Sequence, residues 1–122
     1  MYYGMSSDAL QKMYVQNSLR NESDRFVFEI QNKIDSGTVS GIGKLLVDDE
    51  EKPLEGVTVE MSGKVRQADT ITWSSSLYVP YGATLKIAAP GTLEAGEHTI
   101  KLTVNAPEIG QLTLPITDTI EE

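Results

Sequence analysis

The chain has 122 residues, 18 acidic and 10 basic side chains, a formal net charge of −8 and no cysteine. This length suits one domain with a single core, and the lack of cysteine excludes disulfides, thiolate metal sites and a cysteine nucleophile. The acidic balance argues against nucleic acid or an anionic membrane as partner, because both require a basic face. We see no secretory signal and no long apolar stretch, and we expect a cytoplasmic protein.

An N-terminal arm, residues 1–13, precedes the predicted strands. Residues 7–13 are expected to form one or two helical turns, with Ser6 or Ser7 as the cap. No boundary or linker divides the chain after the arm. We therefore treat residues 1–122 as a single domain.

The first pair of strands is predicted from two alternating rows. Side chains alternate over residues 15–20, a turn follows at 21–24, and Phe26, Phe28 and Ile30 then share one face. Alternation on both sides of a turn is typical of an antiparallel hairpin.

The next row contains two glycines. It comprises Val39, Gly41, Gly43, Leu45 and Val47. The glycines predict a bulge or the close approach of another backbone. The acidic run at residues 48–51 is expected to be a hairpin tip, and Pro53 limits the following strand to an edge or a late start.

The middle of the chain predicts a hairpin and then a broken segment. A strand over residues 57–61 is closed by a turn at Ser62 and Gly63, and Val65 begins a short return strand. Residues 70–82 carry three aromatic residues, several serines and Pro80. We expect a long loop or an interrupted strand there.

The last third of the chain has the clearest strand pattern. After a break at Pro90 and Gly91, the residues Ile100, Leu102 and Val104 point to one face, where we expect them to be buried, while Lys101 points outward. Gly96, just before this strand, is expected to have a positive φ. The final strand contains Leu112, Leu114 and Ile116, with Pro115 marking it as an edge strand.

Together these rows predict an all-β protein. We expect an antiparallel β-sandwich of about eight or nine short strands, immunoglobulin-like or jelly-roll-like, with a short N-terminal helical turn.

The residues offer little for catalysis. His98 is the single histidine, and a lone histidine at the start of a core-facing row is more typical of a hydrogen-bonded strand-end residue than of a ligand or base. The acidic run at 48–51 is typical of a solvated turn. We therefore predict no catalytic, cofactor-binding or metal-binding residues in this chain.

The aromatic residues are the better candidates for function. Trp73, Tyr78 and Tyr81 lie close together in sequence, and Tyr2 and Tyr3 lie near the N-terminus. Such side chains anchor protein interfaces and stack on sugar rings. The alternative is structural, with Trp73 and Tyr78 capping the open end of the sandwich.

Three segments carry a family resemblance. They are the strand and turn at residues 56–64, the Thr72-Trp73 pair, and residues 89–98, which contain the pattern P-G-x-L-x-x-G-x-H. Over residues 26–117 the chain resembles the small β subunit of the C-glycoside deglycosidases and the stand-alone proteins similar to it.

This resemblance implies a non-catalytic accessory subunit of a lyase that cleaves carbon–carbon glycosidic bonds. It implies a larger α subunit, a sugar-isomerase-like TIM barrel, that holds a divalent metal such as manganese and the catalytic residues. His98 would then lie near the entrance to that site. The alternative is a self-assembling, homo-oligomeric or carbohydrate-binding sandwich with no enzyme partner.

Overall fold

The computed structural model describes residues 10–108 and 110–121. Within these ranges one short 3-10 helix, Ala68–Thr70, accompanies eleven β-strands. In chain order the strands are β1 Arg20–Glu22, β2 Arg25–Gln31, β3 Gly37–Val39, β4 Gly41–Val47, β5 Glu50–Lys52, β6 Thr58–Met61, β7 Lys64–Gln67, β8 Leu77–Val79, β9 Thr84–Pro90, β10 Gly96–Ala106 and β11 Gly110–Ile120. None of the described helices has the length and apolarity to cross a bilayer.

The strands form two main antiparallel sheets. One has the order β1-β2-β9-β6-β7, the other has the order β11-β10-β4-β5, and β3 and β8 make a small separate pair. The predicted all-β antiparallel sandwich is confirmed. The strand count exceeds the expected eight or nine because β1, β3, β5 and β8 are pieces of three residues.

The core lies between the inner faces of the two main sheets. In the five-stranded sheet Ile87 lies opposite both Phe28 and Val59. In the four-stranded sheet Leu102 lies opposite both Leu45 and Leu114. All six of these side chains are at least 96% buried, as are Ile100 and Ile116. The predicted inward row of β10 is therefore confirmed for Ile100 and Leu102, because cross-strand partners share a face.

Two tight turns follow from residues that tolerate positive φ. Asp48 and Asp49 have φ of 52° and 69° between β4 and β5. Ser62 and Gly63 have φ of 52° and 80° between β6 and β7. Two consecutive positive φ values define the type I′ turn, whose twist matches that of the flanking strands. The predicted hairpin tips at both places are confirmed.

In the glycine-containing row, Val39 ends β3 and the other four residues lie in β4, which shows both predicted features. The pairing of β4 with β10 changes register between Leu102 and Val104. A Cβ atom at Gly43 would lie 3.5 Å from the backbone oxygen of Thr103 and 3.1 Å from its Cγ2. The glycine thus allows a bulge where the neighbouring strand comes close.

The N-terminal hairpin is shorter than the sequence predicts. Strand β1 begins only at Arg20, and residues 15–19 form a turn in which Asn17 has a φ of 66°. The backbone leaves the sheet there because the Tyr14 hydroxyl accepts a bond from the Leu19 amide at 2.9 Å. Leu10 and Gln11 are helical, and the rest of the expected helical turn, with Ser6 and Ser7, lies outside the described residues.

The two ends of the sandwich are distinct. We call the end where β10 begins and β4 and β11 end the clasped end. We call the other end, where β10 ends and β4 and β11 begin, the open end. Pro115 lies on the edge strand β11, as expected, and the strand that follows Pro53 is the inner strand β6, which starts late, at Thr58.

Candidate functional site

A cavity of about 410 Å³ lies between the two main sheets at the open end. Both sheets and the β3–β8 pair contribute apolar side chains to its wall. They include Ile30, Leu85, Ile87, Ile42, Leu102, Val104, Leu112, Leu114, Val39 and Leu77.

The cavity forms because the inward rows continue past the closely packed layer. Along β10, Leu102 is 1% exposed, whereas Val104 and Ala106 are only partly buried. Ala106 is also short, and Gly37 on the facing β3 has no side chain. The two sheets therefore do not fill the space between them here, and apolar surface faces the cavity.

Asn32 organises the mouth of the cavity. Its Nδ2 donates to the carbonyl of Asp35 at 2.8 Å and to that of Val79 at 3.1 Å. Its Oδ1 accepts from the amide of Ile34 at 3.1 Å. Asn32 thus links the segment that leaves β2 to the end of β8.

Two carboxylates lie at the mouth. Glu108 Oε1 accepts from the amide of Thr38 at 3.2 Å, and Asp35 Oδ1 accepts from the amide of Ser36 at 2.8 Å. Both residues line the cavity and are exposed to solvent. Among the described lining residues no other side chain is charged. The charged side chains that line the mouth are therefore both acidic.

The clasped end holds the single histidine. His98 Nδ1 lies 2.7 Å from Asp48 Oδ2, and His98 Nε2 lies 2.7 Å from the carbonyl oxygen of Glu94. Asp48 Oδ1 also accepts from the amide of Thr99 at 2.9 Å. These bonds join the β4–β5 turn to the start of β10.

His98 and Asp48 each favour the charged form of the other. Two hydrogen bonds lower the pKa of the Asp48 carboxyl. The larger effect comes from the Thr99 amide and the smaller one from His98. Two hydrogen bonds likewise raise the pKa of His98. The larger effect comes from Asp48 and the smaller one from the Glu94 carbonyl. Both ring nitrogens face acceptors, so the arrangement favours the imidazolium, which has two N–H donors.

A second polar link at the clasped end involves Tyr14. Its hydroxyl donates to Asp118 Oδ2 at 2.5 Å, and Asp118 Oδ2 also accepts from the Asn17 amide at 3.0 Å. Burial and then the bond to Asp118 raise the pKa of Tyr14. Asp118 lies opposite His98 in the β10–β11 register.

The aromatic candidates lie on the surface. Trp73, Tyr78 and Tyr81 are 79%, 59% and 62% exposed, respectively. This exposure does not support the alternative in which Trp73 and Tyr78 cap the open end. Tyr2 and Tyr3 lie outside the described residues.

The loop that carries Trp73 is held by one arginine. Arg66 on β7 donates through Nη2 to the carbonyl of Thr70 at 2.9 Å and to that of Ser75 at 3.0 Å. The Trp73 side chain is thus presented to solvent from an anchored loop. Presentation of this kind suits a contact with another molecule.

Sequence reasoning did not identify the cavity. His98, the predicted site-proximal residue, lines no part of it and lies at the opposite end of β10. One feature of the sequence does point to the cavity. The inward row continues from Leu102 to Val104 and then to Ala106, whose side chain is small. Alternation shows which side chains point inward, but it does not show how far apart the two sheets are at that level.

The part of the chain that the structure describes contains no three converging His, Cys, Asp or Glu side chains suited to a metal ion. The charged groups at the two ends have backbone amides, a carbonyl or each other as partners.

The comparison with protein families gives a match over nearly the whole chain. The model of the hydroxymethylglutaryl-CoA reductase N-terminal domain family matches residues 9–121. No protein in the curated set matches the chain significantly.

This match overturns the resemblance to the C-glycoside deglycosidase β subunit, which was wrong. The residues that suggested it have local structural reasons in this fold. Gly63, Gly91 and Gly96 all have positive φ, at 80°, 93° and 122°, and His98 is bonded within the clasped end. Turns of this geometry require such residues in many sandwiches, so the pattern does not distinguish one family from another. By the match over residues 9–121, the chain belongs to the hydroxymethylglutaryl-CoA reductase N-terminal domain family.

Proposed function

We propose that this chain is a non-catalytic binding domain that takes a small apolar ligand into the cavity at the open end. The observation that carries the proposal is the cavity of about 410 Å³ with apolar walls from both sheets. Protein interiors are normally close-packed, with few voids larger than a water molecule. A space of this size is within the range of small-molecule sites, which extends from about 300 to 1,000 Å³.

The composition of the wall supports an apolar ligand. Burial of apolar surface contributes about 25 cal/mol per Å², so a ligand that covers the half-buried Val104, Leu77 and Leu85 gains affinity from surface that the protein leaves open. The hydrogen bonds of Asn32 keep the mouth in place without the ligand. Because the site is already formed, ligand binding does not carry the entropy cost of ordering it.

The family name connects this domain with an enzyme that acts on hydroxymethylglutaryl-CoA. We propose that the domain accompanies such a catalytic part and performs no chemistry itself. We do not assign the coenzyme A moiety to the cavity. Its phosphates would meet Asp35 and Glu108 at the mouth of a chain whose net charge is −8. The TIM-barrel partner and its metal followed only from the overturned resemblance, and we do not propose them.

A fluorescent probe tests the proposal directly. The uncharged apolar dye N-phenyl-1-naphthylamine is expected to gain fluorescence on binding to the purified chain. Ala106→Phe places an aromatic ring at the cavity wall and should abolish the signal.

Ala95→Phe is the matched control, because Ala95 is exposed just before the other end of β10. This variant should bind the dye like the wild type. Both variants are checked for a cooperative thermal transition. Equal dye binding by two folded variants would contradict the assignment of the ligand to this cavity.

A second candidate is self-association through the exposed aromatic residues, a role predicted from the sequence. The 79% exposure of Trp73 on its anchored loop favours it. If the chain forms a dimer, Trp73→Ala should weaken the dimer by about 2 kcal/mol, because interface energy concentrates in such residues. Sedimentation of the wild type and the variant measures this. An unchanged assembly state with an intact fold would exclude Trp73 as the anchor.

A cytoplasmic location also stays a prediction.

A further inference from the structure

We propose that the cavity selects an amphiphile with a cationic amine head over one with a carboxylate head. This inference rests on the proposed function, because it concerns the ligand of the same cavity. An apolar chain would lie between the sheets, and its ammonium group would lie at the mouth between Asp35 and Glu108.

The hydrogen bonding of the two carboxylates leaves acceptor capacity. Each is anchored through one oxygen to a backbone amide, Asp35 to Ser36 and Glu108 to Thr38. An ionised carboxylate has two oxygens and about four acceptor sites. The anchored carboxylates can therefore accept further bonds from an ammonium group, which has only donors.

The geometry places the charge where a head group would emerge. Gly37 lies beside the carboxylate of Glu108, since a Cβ atom at Gly37 would lie 3.4 Å from Glu108 Oε1. Asp35 is two residues away on the same segment, and both line the cavity. Farther along β3 from Gly37, Val39 pairs with Leu77, and Val104 on β10 precedes Glu108 in the chain; all three line the cavity. The lining thus changes from apolar to anionic along one direction.

The expected selectivity is moderate because both carboxylates are exposed. Contacts with solvent-exposed charges are weak and are screened by salt. At low ionic strength we expect the amine to bind about threefold to tenfold more tightly than the neutral alcohol of the same chain. The carboxylate of that chain should bind more weakly than the alcohol, because three negative charges would then share the mouth.

Competition among three matched compounds tests the inference. Decylamine, decanol and decanoate displace N-phenyl-1-naphthylamine from the full chain at pH 7, each below the concentration at which it aggregates. The amine is protonated at this pH because its pKa resembles that of a lysine side chain, about 10.4. The expected order of affinity is decylamine, then decanol, then decanoate.

Isosteric variants assign the selectivity to the mouth. Asp35→Asn and Glu108→Gln remove one charge each and keep a carbonyl oxygen that can accept from the same amide. The double variant should bind decylamine and decanol equally. Glu97→Gln, which removes one charge from the far end of β10, is the control and should keep the wild-type order.

The outcomes separate the two proposals. Displacement by all three compounds with equal affinity would overturn the selectivity while leaving a binding cavity. Unchanged selectivity in the double variant would overturn the role of Asp35 and Glu108. Failure of the dye and all three compounds to bind would overturn both the inference and the proposed function.

Discussion

The clasped end and the open end use the same strands, but they are closed in different ways. At the clasped end, polar side chains join separate elements, with His98 bonded to Asp48 and Tyr14 bonded to Asp118. At the open end, Asn32 and two carboxylates bond to backbone around a cavity. Side-chain bonds between elements thus close one end, whereas the other end retains a cavity.

A further link strengthens this difference. Asn21 on β1 bonds twice to the backbone of Leu93, with both distances at 2.9 Å. Leu93 lies in the connection from β9 to β10, which crosses from one main sheet to the other. The crossing is therefore tied to the five-stranded sheet. We infer that the stability of the sandwich is concentrated towards the clasped end.

The largest expected effect comes from truncating side chains at two levels of β10. Ile100→Ala removes a fully buried side chain near the clasped end and should lower the free energy of unfolding by about 2–5 kcal/mol. Val104→Ala should cost less, about 1 kcal/mol, because Val104 already borders open space. Urea titration measures both. Equal losses would show that the two ends are packed alike.

The outward residue between them provides the reference. Lys101→Ala should change the free energy of unfolding by no more than about 0.5 kcal/mol, since the Lys101 side chain is 45% exposed. An effect as large as that of Ile100→Ala would contradict the register of β10.

Removal of the Tyr14 hydroxyl should have the next largest effect. Tyr14→Phe leaves the buried Leu19 amide without its acceptor, and such a loss costs about 1–3 kcal/mol. The variant should still bind the apolar dye as the wild type does, because the hydroxyl and its partners Asp118 and Leu19 do not line the cavity. Thermal unfolding and dye titration of one preparation test both statements. Loss of dye binding in a folded variant would show that the two ends are coupled.

Gly96→Ala should destabilise the chain by about 1 kcal/mol, because an alanine is strained at a φ of 122°. The predicted positive φ is confirmed, and a Cβ atom at Gly96 would contact nothing within 4 Å. Gly56→Ala is the useful comparison, because its φ is also positive and its Cβ atom would lie 2.9 Å from Pro90 Cγ. It should cost more than Gly96→Ala, and chemical denaturation ranks the two. The reverse order would contradict strain and crowding as the causes.

The smallest effect is the pH dependence of the His98–Asp48 link. Since folding raises the pKa of His98, its contribution is fully present below the ordinary pKa of about 6.5 and is lost as the pH rises through the folded pKa. Since folding lowers the pKa of Asp48, that contribution is lost as the pH falls through its folded pKa. Stability should therefore decline above neutral pH and again in acid.

His98→Gln isolates the alkaline part of this profile. The variant should lose the decline that begins above about pH 6.5 and keep the acid one in part, because Asp48 still accepts from the Thr99 amide. Thermal melts across the pH range give the comparison. A wild-type profile that is flat above about pH 6.5 would show that folding does not raise the pKa of His98.

Much of the fold could be predicted because its signals are local. The turns at Asp48 and Ser62, the bulge at Gly43 and the inward row of Ile100 and Leu102 each follow from a few neighbouring residues. The failure at residues 15–19 has a different cause. Alternation there predicts a strand, but a hydroxyl bonded across the fold to Asp118 turns the backbone away.

The candidate site was less predictable, and the family resemblance misled. The turn containing Gly91 and Gly96 resembles the pattern of one family, but both glycines are explained by their positive φ. The carboxylates of Asp35 and Glu108 lie 73 positions apart in the chain. Nothing in either segment predicts that they share the mouth of one cavity.

The sequence by itself determined the all-β class, the tight turns and the side of each main strand that faces the core, because periodicity and backbone preference act over a few residues. Only the tertiary structure decided which strands are neighbours, where the polar links form and where a cavity remains. These features depend on the distance between two sheets and on contacts such as Tyr14–Asp118, 104 positions apart. Such distances are set by the packing of all the strands together.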